Sequence, residues 1–248
     1  MNFDFNEEQT MIMDGIARYI REEYDFDRRR SIIESDSAYS DDVWRQFSEL
    51  GWLSIPFDES YGGFGGHADD LAGVMLELGK GLIIEPYMST VVVFGSLLNA
   101  SNNDSLKEQL IPRIINGQYK GSFAYAEEQS RFEISDVKTS AQKCGDGYKL
   151  NGTKIAVIDA KESDGLIVTA RTGGSQYGAE GISLFLVDTS AEGVAVSSYN
   201  TMDSHSSSTI NLENVFVTEA NLIVHEGEGF RHIESCLPQI LLCLSAEA

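Results

Sequence analysis

The stretch "YKLNGTKIAVI", residues 148–158, decides how the chain divides. It lies in a region where, from about Gly121 onward, apolar residues recur with a period of two, the spacing of a half-buried strand. It also contains Asn151-Gly152, the strongest short-range signal for a hairpin. Downstream, "LIVTA" (166–170), "ISLFLVD" (182–188) and "STINLENVFV" (208–217) are further strand runs, separated by glycine and polar clusters. The pattern predicts a compact all-β unit ending near Val217.

Upstream of this stretch the period is helical. Asn6 and Gln9 form a capping box, and Ile12, Ile16 and Ile20 then recur every four residues. Ser40 is placed to cap a helix carrying Val43, Phe47 and Leu50 on one face, with Gly51 ending it. Leu71, Val74, Met75 and Leu78 repeat the pattern, with Gly79 and Gly81 closing. Another apolar segment follows Pro86, a suitable first-turn proline. Ser105 and Glu108 form a second capping box ahead of Leu106, Leu110 and Ile114; Asn116-Gly117 ends that helix, and Pro112 should kink it or end it early. Downstream of the strands, "EGEGF" (226–230) turns into a third helical region beginning near Phe230. That region ends on "CLPQILLCLSAEA" (236–248), which has no stop signal. Either it packs against another chain, or sequence that belongs after it is absent.

The chain has 248 residues, 42% apolar and 23% charged, as an ordinary soluble globular protein does. Its 18 basic and 39 acidic residues leave a formal net charge of −21, which argues against nucleic acid as a partner. No apolar run reaches membrane-span length, so no membrane partner is expected. "MNFDFNEEQ" (1–9) shows no secretory signal. Cys144, Cys236 and Cys243 form no CxxC pair and read as buried free thiols in a reducing cytoplasm. His67, His205, His225 and His232 have no metal-ligand spacing and read as surface or loop residues. The glycine cluster "ESYGGFGGH" (59–67) follows no strand and reads as a flexible helix–helix loop. "SDSAYSDD" (35–42) and "SHSSS" (204–208) read as solvated loops. No GxSxG elbow or Walker A loop occurs.

The ordered set of segments resembles the acyl-CoA dehydrogenase family. "FNEEQTMIMDGIARYIRE" (5–22) resembles its opening helix, and "ELGWLSIPFDESYGGFGG" (49–66) its "GW…P…YGG.G" loop. "LKEQLIPRIINGQYKGSFAYAEEQS" (106–130) is similar to the helix that enters its middle domain. "VKTSAQKCGDGYKLNGTKIAVIDAKESDGLIVTART" (137–172) is similar to the family's hairpin with "DG(Y/W).LNG.K". "NLENVFVTEANLIVHEGEGF" (211–230) resembles its passage into the C-terminal helices. In appearance the chain is closest to the small subunit of pimeloyl-CoA dehydrogenase-like pairs. The resemblance implies an α+β fold: an N-terminal all-α helical domain (1–120), a middle antiparallel β-barrel-like domain (121–226) and the beginning of a C-terminal helical domain (227–248), the rest of which would be absent. It also implies FAD, an acyl-CoA thioester substrate, α,β-dehydrogenation, and assembly as a homo- or hetero-oligomer with another acyl-CoA dehydrogenase chain.

Carried over residue by residue, the resemblance places the cofactor site at Phe123, Tyr125, Ala126, Phe132, Ala156, Val157 and Ile158. The substrate site falls at Phe132, Ile240 and Leu241. Where the family pattern reads "Y.(V/M)TEP.(A/G)GSD", this chain reads "FAYAEEQSRFEISD" (123–136), with Ala126 at the Thr position, Glu128 at the Pro position and Phe132-Glu133 at the Ser-Asp pair. Where the family reads "(W/Y)I(T/S)N", this chain has Ala156-Val157-Ile158-Asp159. Pro238-Gln239-Ile240-Leu241 stands at the "D..R" segment that contacts CoA. No catalytic base is nominated; Glu234 is close, but its register does not fit. The departures lead to the expectation that FAD binds weakly or is shared with a sister chain, in a partner subunit with a degenerate site. The other reading is a competent dehydrogenase once a full C-terminal domain is present.

Overall fold

The computed structural model describes residues 5–35, 37 and 39–248. Residues 1–4, the start of the stretch without a secretory signal, lie outside them, as do Asp36 and Ala38 of "SDSAYSDD". Helix α1 (Glu7–Glu23) begins at the expected box: Asn6 Oδ1 accepts from the Gln9 amide at 2.9 Å, and Gln9 Oε1 accepts from the Asn6 amide at 2.8 Å. Ile16 is fully buried, with Ile12 and Ile20 at the edge of the core. Helix α2 (Phe26–Ile33) was not legible in the apolar spacing, because Ile32 is its one buried residue. Its signal is the cap instead, Asp25 Oδ1 accepting from the Arg28 amide at 2.8 Å.

Ser40 caps α3 (Asp41–Glu49) as expected. The buried face is Val43, Trp44 and Phe47, whereas Leu50, past the last turn, is 51% exposed. Gly51 follows at φ +78°. The glycine loop is not flexible filler. Phe64 N donates to Ser54 O at 3.1 Å, Gly65 N to Phe57 O at 2.8 Å and Gly66 N to Ile55 O at 2.8 Å. A Cβ on Gly63 would stand 1.9 Å from Phe57 O, so only glycine allows this approach.

Helix α4 (Ala68–Lys80) buries Leu71, Val74, Met75 and Leu78. After Pro86 the chain winds through a π-helical stretch, Met88–Phe94, into α5 (Gly95–Asn99). Helix α6 (Asp104–Ile115) is capped by Asn103, whose Oδ1 accepts from the Leu106 amide at 3.1 Å. Ser105 is therefore already inside the first turn, and the expected Ser105/Glu108 box does not form. The helix also runs on through Pro112 to Ile115 before stopping at Asn116-Gly117.

Seven strands follow: β1 (Gly121–Ala124), β2 (Ser140–Cys144), β3 (Gly147–Ile158), β4 (Gly165–Arg171), β5 (Ile182–Asp188), β6 (Val194–Asn200) and β7 (Ser206–Thr218). They form a curled half-barrel in the order β1-β4-β2-β3-β7-β6, with β5 on the free side of β4. The sheet is mixed rather than wholly antiparallel, because β1 runs parallel to β4. The long excursion through β2 and β3 supplies the crossover that a parallel pair needs.

Asn151-Gly152 is not a turn. Strand β3 runs straight through it with a bulge, and the hairpin turn lies at Gly145-Asp146, between Cys144 and Gly147. Asn151 Oδ1 accepts from the Asn214 amide at 2.8 Å, and a Cβ on Gly152 would lie 2.4 Å from Thr139 Oγ1. The dipeptide serves a close approach between strands, a use that local sequence cannot separate from a turn. "SHSSS" is likewise not a solvated loop throughout: Ser206, Ser207 and Ser208 open β7 and are buried.

Strands β4 and β5 are buried on both faces, which explains their unbroken apolar runs. Leu166, Val168, Phe185 and Val187 point into the half-barrel core. Ile167, Leu184 and Leu186 point the other way, into the helical core. Helix α7 (Gly229–Glu247) buries Ile233, Cys236, Ile240 and Cys243 along one stripe. Gly79 lets it come close to α4, since a Cβ there would stand 2.2 Å from Glu247 O.

Candidate functional site

The two segments singled out for the cofactor lie at the ends of β1 and β3. Where β1 ends, the Phe123 and Tyr125 rings stack with centroids 5.1 Å apart. Ala126 O accepts from the Ile155 amide at 2.9 Å, which ties the two segments together. At the outer part of the loop, Arg131 adopts φ +49° and Phe132 is 98% exposed.

The loop is anchored by a pair the sequence reading missed. Lys154 and Glu127 are both buried, with Nζ 2.7 Å from Oε1. Lys154 also donates to Thr169 Oγ1 at 2.7 Å and to Tyr125 O at 3.3 Å. Glu127 accepts from the amides of Lys138 at 2.8 Å and Thr139 at 3.0 Å. Burial alone would raise the Glu127 carboxyl, but the Lys154 ammonium and these donors hold it down at about 2. Burial draws Lys154 down to about 8 against the pull of Glu127.

At the end of β3 the backbone is strained. Ala156 and Asp159 adopt φ +51° and +54°, and the register with β7 shifts between Lys154 and Val157. Such non-glycine conformations persist where surrounding structure over-determines them, often at functional sites. The result sorts three neighbours. Val157 is sealed in the half-barrel core, Ile158 is 44% exposed, and Asp159 is buried with Ser89 Oγ donating to its Oδ2 at 2.6 Å.

Ile158 and Asp159 open onto a cavity of about 260 Å³ at the junction of the helical domain, the half-barrel and α7. Met75, Leu78, Ile83, Tyr87, Met88 and Leu244 form its apolar wall, and Glu85, Asp159, Thr201, Asp203, His205 and Glu247 its polar one. Burial pushes the Glu85 carboxyl up to about 7 and also raises Asp159 and Glu247, whereas the Thr201 hydroxyl lowers Asp203. Of the residues assigned from the sequence, only Ile158 lines this cavity. Phe132 lines a separate surface pocket with Tyr177. Ile240 packs into the helical core, while Leu241, one residue on, is 55% exposed. The polar wall had one legible signal, Glu85, the single acid in the apolar run "LIIEPYMSTVVVF" (82–94).

His232 is half-buried on α7, its Nε2 2.7 Å from Leu97 O, rather than on a loop. Cys236 and Cys243 are buried free thiols as expected, but Cys144 is exposed at the β2–β3 turn. Among the described residues, no group of three His, Cys, Asp or Glu side chains could hold a metal ion, and no helix is long and apolar enough to cross a membrane.

Comparison with known proteins covers both halves of the chain. Residues 6–118 match the family model "Acyl-CoA dehydrogenase, N-terminal domain", and residues 122–215 match "Acyl-CoA dehydrogenase, middle domain". The probable acyl-CoA dehydrogenase YngJ of Bacillus subtilis (strain 168) is 30% identical over 236 residues, 93% of this chain and 62% of YngJ. The FAD complex of PigA superposes with a TM-score of 0.89 at 23% identity, over 100% of this chain and 66% of that one. The ChsE4-ChsE5 complex from Mycobacterium tuberculosis gives 0.87 at 22% identity, over 100% and 64%. The chain thus spans less than two thirds of the length of YngJ. With its helical half and its half-barrel each matched in order, the chain belongs to the acyl-CoA dehydrogenase family.

Proposed function

We propose that this chain is a partner subunit in an FAD-dependent acyl-CoA dehydrogenase, a cytoplasmic enzyme that introduces an α,β double bond into an acyl-CoA thioester. In this reading a sister chain provides the base and most of the flavin contacts. FAD would act there as acceptor of the β-hydride.

One observation carries the reading. The two segments keep a strongly organised backbone, yet at four of the positions assigned to the cofactor they offer no side-chain donor. Ala126 and Ile158 have no hydrogen-bonding side chain, Ala156 no ring, and Val157 is turned inward. These side chains do not fit a flavin held by side-chain donors of this chain. A neutral hydrogen bond is worth only about 0.5–1.5 kcal/mol net, but several lost together weaken a cofactor by orders of magnitude. The buried Glu127–Lys154 pair and the strained turn at Ala156 still fix the loop, as a shared interface requires. The fold's occurrence in a two-component complex, ChsE4-ChsE5, is in keeping with a paired assembly. Free thiols throughout suit a reducing compartment.

The visible absorption spectrum of the protein from its native host, with subunit masses measured on the same sample, tests this. The expected result is colourless protein alone and flavin only in a stoichiometric complex with a second chain. A flavin band on this chain alone, bleached anaerobically by an acyl-CoA, would instead make it a competent dehydrogenase.

A further inference from the structure

The cavity behind Ile158 holds a buried carboxyl group with one oxygen unpaired. Glu85 is 3% exposed; its Oε1 accepts a long contact from the Ser40 amide at 3.4 Å, and the Tyr24 hydroxyl and the Ile84 amide also favour its charged form. Its Oε2 has no hydrogen-bond partner among the described residues. Leaving such an atom unsatisfied in the interior costs about 1–3 kcal/mol, more if it is charged. Here the atom belongs to the wall of a cavity of about 260 Å³ rather than to a packed core, so a donor has room to reach it.

The charges around the cavity define that donor. Among the described residues, Glu85, Asp159, Asp203 and Glu247 line it, against one basic lining residue, His205, whose Nδ1 stands 4.0 Å from Asp159 Oδ1. Arg29 is nearby but committed, its guanidinium donating to Leu82 O at 2.6 Å and Asp203 O at 3.0 Å. Met75, Leu78, Met88 and Leu244 give the cavity an apolar lining that suits a short hydrocarbon chain. An anion is disfavoured by the acidic side chains, and a neutral hydrocarbon would leave Glu85 Oε2 unpaired. We propose that this cavity is a binding site for a primary alkylammonium group on a short apolar chain, with Glu85 and Asp159 as its counter-charges. The inference rests on the cavity alone and not on the partner-subunit reading.

The same chemistry reaches the site from two sources, a free alkylamine or an acyl thioester whose chain ends in an amine. Isothermal titration of the chain with n-pentylammonium, 1-pentanol and the N-acetylcysteamine thioester of 6-aminohexanoic acid, whose seven-membered ring closure is slow, separates them. The expected result is n-pentylammonium binding at least about tenfold tighter than 1-pentanol, as a charge-assisted hydrogen bond provides. Its affinity should also rise with pH through about 7 as Glu85 ionises, and Glu85→Gln should remove the tenfold preference. A thioester that binds tighter than the free amine supports an acyl source, and equal affinity supports a free amine. Equal binding of alcohol and ammonium, binding of neither, or a preference retained in Glu85→Gln overturns the proposal. The comparison of amine with alcohol needs no variant, so it stands even if Glu85→Gln fails to fold.

Discussion

At the scale of single residues, the proposed cofactor site turns on which side chains could donate a hydrogen bond. Ala126 and Ile158 occupy positions where the family pattern has hydroxyl residues, and their surroundings are otherwise ordered. Restoring the donors therefore has a predictable direction. The double variant Ala126→Thr/Ile158→Thr should bind flavin roughly tenfold tighter than the natural chain, from two hydrogen bonds of about 0.5–1.5 kcal/mol each. Quenching of flavin fluorescence on titration with protein measures this. An unchanged affinity would mean that side-chain donors are not what limits cofactor binding. Gly152 shows how far one residue can mislead: Asn-Gly reads as a turn locally, but the neighbour that demands glycine is Thr139, thirteen positions upstream on the adjoining chain segment.

At the scale of elements, one buried ion pair ties β3 to the loop that follows β1. Glu127 caps the amides of Lys138 and Thr139 while Lys154 holds the Tyr125 carbonyl, so the segment from 125 to 139 is fastened at both ends. Removing one member leaves the other buried and charged. Lys154→Met should destabilise the fold by about 3–5 kcal/mol and expose the Lys138 and Thr139 amides to exchange. Chemical denaturation and hydrogen–deuterium exchange check the two parts. Native-like protection of those amides in the variant would show that the loop does not depend on the pair.

At the scale of the whole molecule, the buried acids make stability pH-dependent, those at the domain junction in one sense and Glu127 in the other. Glu85 has a folded value of about 7 against an ordinary value of 4.5. Its contribution is complete below 4.5 and is lost as pH rises through about 7. Asp159, also raised by burial, acts in the same direction. Glu127, held at about 2, contributes above its ordinary 4.5 and loses that contribution as pH falls through about 2. Stability should therefore peak in mildly acidic solution and decline toward pH 8. Self-repulsion from the net charge of −21 adds to that decline. Glu85→Gln isolates one share of it, reducing the loss between pH 5 and pH 8 by on the order of 3 kcal/mol. Denaturation curves of both proteins at the two pH values measure this; parallel declines would show that folding does not move the Glu85 carboxyl from its ordinary range.

Sequence alone was enough for the order of the halves, the faces of α1 and α4, the strand runs of β4 and β5, and the family, whereas the buried stripe of α7 emerged only from its packing. The former are carried by periodicity, caps and ordered motifs, all of which act within a few residues. The tertiary structure alone decided that β3 passes through Asn151-Gly152, that Ser206–Ser208 are buried, that β1 runs parallel to β4, and that Glu127 meets Lys154. It also decided that Glu85, Asp159, His205 and Glu247 share one cavity while Phe132, Ile240 and Leu241 lie elsewhere. Each of these depends on contacts between residues far apart in the chain, where burial and electrostatics are set by neighbours that no local pattern names.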